Sequence, residues 1–129
     1  MVKDPVNPSR AELRQWAYDA EAMEPMQDFD LLVVLLGLND LVLAFAADDQ
    51  CPKQRYFLAC AYLIVGDAVR TEYRSESRDY IDQFLADAGN TQHPKLLELV
   101  NRSAALIADP ESFDYDDWCC GGLARRSEV

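Results

Sequence analysis

The densest chemistry in the chain lies in ten consecutive residues, Asp109-Pro110-Glu111-Ser112-Phe113-Asp114-Tyr115-Asp116-Asp117-Trp118. Five carboxylates alternate there with three aromatic rings, and no basic side chain interrupts them. Aromatic side chains supply large contact area and are enriched at binding hot spots. Interleaved carboxylates would steer a basic protein partner inward and repel acidic ones. Asp114, Tyr115, Asp116, Asp117 and Trp118 are therefore the expected partner contacts. The same pattern also fits an amphipathic helix whose Phe113 and Trp118 dock on a core while its acids face water. The two readings are compatible. A calcium loop is a poorer fit, because the glycine and the terminal glutamate that an EF-hand needs at fixed offsets are missing.

A second acidic stretch, Glu12, Asp19, Glu21, Glu24, Asp28 and Asp30, has Trp16 and Tyr18 beside it. If the fold brought both stretches together they would make one acidic, aromatic face.

Other chemistries lack their parts. The one histidine, His93, precedes Pro94 and reads as a surface or capping residue. A zinc site would need three or four converging ligands, so no metal is expected. No serine sits in a G-x-S-x-G turn, and no glycine-rich phosphate loop occurs. Neither a catalytic residue nor a cofactor is expected. The four cysteines, Cys51, Cys60, Cys119 and Cys120, form no C-x-x-C pair. With no secretory signal in view, reduced thiols and a cytoplasmic setting are the expectation. Cys60 lies in an apolar run and reads as a small core residue.

Charged residues inside apolar runs form the third group. Asp40 interrupts the most hydrophobic stretch, and Asp67 and Arg70 follow Ile64-Val65-Gly66. Buried charges must be paired or neutralised, so a structural network of Asp40 or Asp67 with Arg55 or Arg70 is expected. The alternative is a pocket in which Asp40, Asp67, Arg70 and Tyr62 wait for a ligand to complete the network. Gly66 beside Asp67 also predicts a close helix-helix contact.

These residues need elements to hold them, and the pattern predicts helices throughout. Ser9 and Glu12 have capping-box spacing ahead of Leu13, Trp16, Ala17 and Ala20, so a first helix should run to about Ala22. Leu31 to Ala47 is apolar and leucine-rich, which favours one long helix over a buried strand, with Gly37-Leu38-Asn39-Asp40 as the place where it would break. Pro52 opens a third helix, apolar over most of its circumference, from about Lys53 to Tyr73. Ser75 or Ser77 starts a fourth, with Gly89-Asn90 closing it. Thr91-Gln92-His93-Pro94 opens a fifth through Ile107. The fold class is therefore all-α: one domain over 1–129, a compact bundle of five to six helices around two central apolar helices at about 30–47 and 53–73. Residues 1–8 and 121–129 read as flexible ends.

A chain of 129 residues can bury a real hydrophobic core. Its 23 Asp and Glu against 12 Lys and Arg give a formal net charge of -11. Nucleic acids and anionic membrane surfaces would repel it, and the Leu31 to Ala47 stretch is too short and too polar at its centre for a membrane span. In composition and architecture, though in no motif, the chain resembles bacterial immunity proteins that neutralise basic toxin domains. That resemblance implies an inhibitor that occludes a basic toxin or nuclease-like partner. The alternatives are a helical adaptor or scaffold subunit, homodimeric through a partly exposed Leu31 to Ala47 helix, and a ligand-binding or catalytic bundle.

Overall fold

The computed structural model describes residues 9–21 and 38–126, and every regular element among them is helical. In chain order these are α1 (Arg10–Ala17), α2 (Asn39–Ala46), α3 (Gln54–Arg70), α4 (Arg78–Asn90) and α5 (Pro94–Ala108). A 3-10 turn (Pro110–Ser112) follows, then two short helices, α6 (Tyr115–Cys119) and α7 (Gly122–Arg125). The architecture is an all-α bundle built on α3, which packs against α2, α4, α5, α6 and α7.

The caps follow from local sequence. At α1 the Ser9 hydroxyl accepts the Glu12 N–H and the Glu12 carboxylate accepts the Ser9 N–H, closing the capping box. Helix α1 stops at Ala17, five residues short of the expectation, with Lys53 donating to the Trp16 carbonyl in its last turn and to the Asp19 carbonyl beyond its end. A lysine there satisfies acceptors that a helix C-terminus leaves open, and favours its negative dipole end. Ser77 caps α4 by accepting from Tyr80 N–H. His93 caps α5, with Pro94 in the first turn.

Two boundaries differ from the sequence expectation. Leu38 is a non-helical cap with φ -88° and ψ 32°, and helix α2 begins at Asn39. The single helix expected over Leu31 to Ala47 therefore does not run through Leu38, and residues 30–37 lie outside the described residues. Helix α3 ends at Arg70 rather than Tyr73, because Glu72 and Tyr73 take positive φ values of 55° and 64°. Left-handed backbone costs an L-residue about 1–2 kcal/mol. The Tyr73 N–H, bonded back to the Ala68 carbonyl at 2.7 Å, helps to offset it. After α4 the left-handed turn falls on Gln92 and not on the expected Gly89, which remains helical.

The core runs along α3. Phe57, Cys60, Ala61, Tyr62, Ile64, Val65 and Ala68 are buried, as are Leu41, Val42, Phe45 and Ala46 of α2. The described half of the Leu31 to Ala47 stretch thus already has its apolar face covered within the chain. Phe45 and Phe57 meet edge to face at 4.9 Å between centroids, and Trp16 reaches Phe57 and Tyr56 at 5.9 and 5.1 Å. Such contacts add to the area term. Residues 121–126, expected to belong to a flexible end, include α7, where Leu123 and Ala124 are buried. Gly121 makes the turn into it at φ 79°, a backbone conformation suited to glycine. A four-residue helix is too short to leave a periodic signal in sequence.

Candidate interaction face

The acidic segment after α5 is held by its aromatic residues. Trp118 is 6% exposed and stacks edge-on against Tyr62, centroids 5.5 Å apart. Its Cβ lies 2.5 Å from where a Cβ on Gly66 would stand, and Phe113 comes within 3.4 Å of the same point. Phe113 and Trp118 thus close over Gly66, and the close approach expected at that glycine is made by a tryptophan. Asp114 is the N-cap of α6, its carboxylate accepting the Asp117 N–H at 3.0 Å. An ionised cap there also favours the positive end of the helix dipole.

The five expected contact residues therefore divide. Trp118 is a core residue, and a partner cannot reach its ring; an aromatic among acids gives the same local pattern whichever way it faces. Asp117 forms an ion pair with Arg126 at 2.7 Å. Asp114, Tyr115 and Asp116 are exposed, Tyr115 at 55%. The Arg70 guanidinium lies 5.8 Å from the Tyr115 ring centroid and is itself paired with Asp67 at 2.5 Å. That pairing raises the already high pKa of Arg70. Among the described residues, Asp109, Glu111, Asp114 and Asp116 are exposed and have no ion pair. What remains on the surface is the Tyr115 ring on a short helix fixed from behind, with Asp116 next to it, Asp114 at its cap, and Asp109 and Glu111 on the preceding turn, none of these four ion-paired among the described residues.

The first acidic stretch docks elsewhere. Trp16 is buried against the start of α3, with the Lys53 ammonium 4.6 Å from its ring centroid. Tyr18 donates its hydroxyl to Asp48 at 2.5 Å, and that hydrogen bond chiefly pushes its pKa to about 12. Glu12 is used in capping, and the Asp19 carboxylate accepts the Glu21 N–H. Glu24, Asp28 and Asp30 lie outside the described residues. Trp16 meets α3 at Phe57 and Trp118 meets it at Gly66, so the two anchors are about 14 Å apart along the helix axis.

The expected charge network resolves into separate surface pairs. Asp40 holds Arg10 through two contacts, at 3.2 and 2.5 Å, and not Arg55 or Arg70. That guanidinium lowers the Asp40 pKa, with the hydrogen bond as the largest cause. Asp67 pairs with Arg70 three residues along the same helix, and Arg55 is exposed on the first turn of α3. Tyr62, buried under Trp118, receives a hydrogen bond from Arg102 at 3.4 Å. Asp40, Asp67, Arg70 and Tyr62 do not converge on one pocket. Which carboxylate meets which guanidinium is set by tertiary contacts between helices, so sequence spacing gave no signal for the Arg10–Asp40 pair.

A polar cluster that the sequence did not single out surrounds His93. Its Nδ1 accepts the Lys95 N–H at 3.1 Å, and its Nε2 lies 2.7 Å from Asp49 Oδ1. Accepting at Nδ1 places the proton of a neutral ring on Nε2, where it is donated to Asp49. Gln54 also donates to Asp49, at 2.9 Å, and the histidine is the first cause of the lowered Asp49 pKa. Both ring nitrogens are engaged, and the cluster ties the loop after α2 to the start of α5.

Among the described residues no group of three or more His, Cys, Asp or Glu side chains is arranged to hold a metal ion, and no helix is long and apolar enough to cross a membrane. No protein-family model matches the chain, and neither the curated proteins nor the solved structures include a match to it.

Proposed function

We propose that the chain is a protein-binding inhibitor of the immunity type, which covers a basic toxin or nuclease-like partner with the face around Tyr115. The observation behind this reading is the 55%-exposed Tyr115 ring in one segment with Asp109, Glu111, Asp114 and Asp116, none of them ion-paired among the described residues. Uncompensated carboxylates raise the association rate with a basic surface, and a buried aromatic anchor slows release. The anchor in this reading is Tyr115 rather than Trp118. The buried Trp118 instead fixes α6, so that Tyr115 is presented in one orientation and little ordering entropy is lost on binding.

The partner would be a basic protein encoded beside this chain, with its cleft occluded on binding. Co-purification with that neighbour, followed by kinetics of the Asp114→Asn/Asp116→Asn variant, tests it. A fall in association rate that vanishes at high salt is expected. Failure to bind any basic neighbour, or binding kinetics left unchanged on neutralising these acids, would overturn it.

A further inference from the structure

We infer that Arg126 is an internal competitor for the basic partner, an autoinhibitory contact in which the chain's own guanidinium holds Asp117 until an arginine of the partner replaces it. The inference rests on the reading of the Tyr115 segment as a partner face, and gives that face a regulator.

The contact is built by the fold. After α6 the chain turns at Gly121, and α7 packs against both α6 and α3. Gly122 is buried, and a Cβ there would stand 2.8 Å from Asp117 Oδ1 and 2.9 Å from the Asp116 carbonyl oxygen. Only a residue without a side chain lets α7 sit this closely on the carboxylate. Leu123 and Ala124 are buried, and the Arg102 guanidinium donates to the Leu123 carbonyl at 3.3 Å, which fastens α7 to α5. About one helical turn beyond Gly122, Arg126 reaches the same oxygen, its Nη2 2.7 Å from Asp117 Oδ1. Arg125 is turned aside, donating to the Cys120 carbonyl at 3.0 Å.

Asp117 therefore shows which group it accepts, because it already holds a guanidinium. Around α6, Asp116 follows Tyr115 by about 100° and Asp117 by about 200°. Asp117 thus lies on the flank of Asp116 away from the ring, and Arg126 withholds it from the acidic segment. The Arg126 side chain is 56% exposed, so it can turn into water without disturbing the core. A partner arginine arriving at Asp117 exchanges one guanidinium for another, and the chain loses only its internal pair. An exposed ion pair is a small obstacle, equivalent to about two- to fivefold in affinity. The contact tunes binding and does not abolish it.

The test is an NMR titration of the isotope-labelled full chain, at low salt, with a short arginine-rich peptide. Wild type is compared with Arg126→Gln, Asp117→Asn and the double variant. Arg55→Gln, at an exposed position on the first turn of α3, makes the same change in net charge far from α6 and is the control. Saturable shifts in α6 are expected, with binding tightened about two- to fivefold by Arg126→Gln and less by Arg55→Gln. The gain should vanish in the double variant, because its source is the released Asp117 carboxylate. Tightening no greater than that of the control, a gain retained without Asp117, or absence of saturable binding would overturn the inference. Unchanged spectra outside α6 and α7 confirm that the variants are folded. Repeating Arg126→Gln and Tyr115→Ala against the basic partner separates the two claims. Binding that needs Tyr115 yet ignores Arg126→Gln overturns the competitor alone, and binding that ignores Tyr115 overturns the face beneath it.

Discussion

The Cβ of Trp118 occupies the space that a side chain at position 66 would need, 2.5 Å from where a Cβ on Gly66 would stand. Two residues 52 positions apart in sequence thereby fix the acidic segment to the central helix. The exposed chemistry of α6, Tyr115 and its carboxylates, is presented by a residue that is itself out of reach.

Gly66→Ala should therefore be costly despite the gain in helix propensity. The atom it would meet is a tryptophan Cβ, near the backbone, which cannot swing aside like the end of a flexible chain. Overpacking of this kind costs about 1–3 kcal/mol. Urea unfolding should show a lowered midpoint with an unchanged slope. Trp118→Ala, which removes most of a buried indole, should cost about 3–5 kcal/mol.

Tyr18 gives a signed pH prediction. Its pKa is raised to about 12 by donation to Asp48. A raised value in the folded state means that the bond contributes fully below the unfolded-state value of about 10. The contribution is then lost as pH rises through about 12. Phenolate absorbance should show one tyrosine titrating near 12 that returns to the ordinary range in Asp48→Asn.

The cysteines should separate in reactivity. Cys51 and Cys60 are buried, Cys119 is partly buried with its thiol pushed up to about 11 mainly by desolvation, and Cys120 is exposed. The thiolate is the reacting form, so Cys120 should be alkylated first and Cys119 far more slowly at neutral pH. Cys51 and Cys60 should react only on unfolding. Mass spectrometry of the time course checks the order, and prompt modification of Cys60 would contradict the burial described.

Much of this arrangement was legible in the residues. The Ser9–Glu12 capping box, Pro94 behind its His93 cap and the close approach at Gly66 each follow from a local rule with a physical cause. The inward docking of Phe113 and Trp118 was one of the two readings the residues allowed, and the hydrophobic pattern of a five-residue helix could not choose between it and Trp118 as a partner contact. Asp40 found Arg10 instead of Arg55 or Arg70 because charge pairing between helices is decided by packing. Asn39 was visible only as a polar residue in an apolar run. Its bond to Tyr80, 41 residues away, emerges only once α2 and α4 are side by side.

The most direct measurement is the binding of this chain to the basic protein partner proposed above, comparing wild type with Tyr115→Ala. Truncating a central aromatic anchor typically costs 2 kcal/mol or more, about thirtyfold in affinity. The loss should appear mainly as faster dissociation. Binding of equal strength by Tyr115→Ala, with the fold intact by circular dichroism, would contradict the assignment of this face.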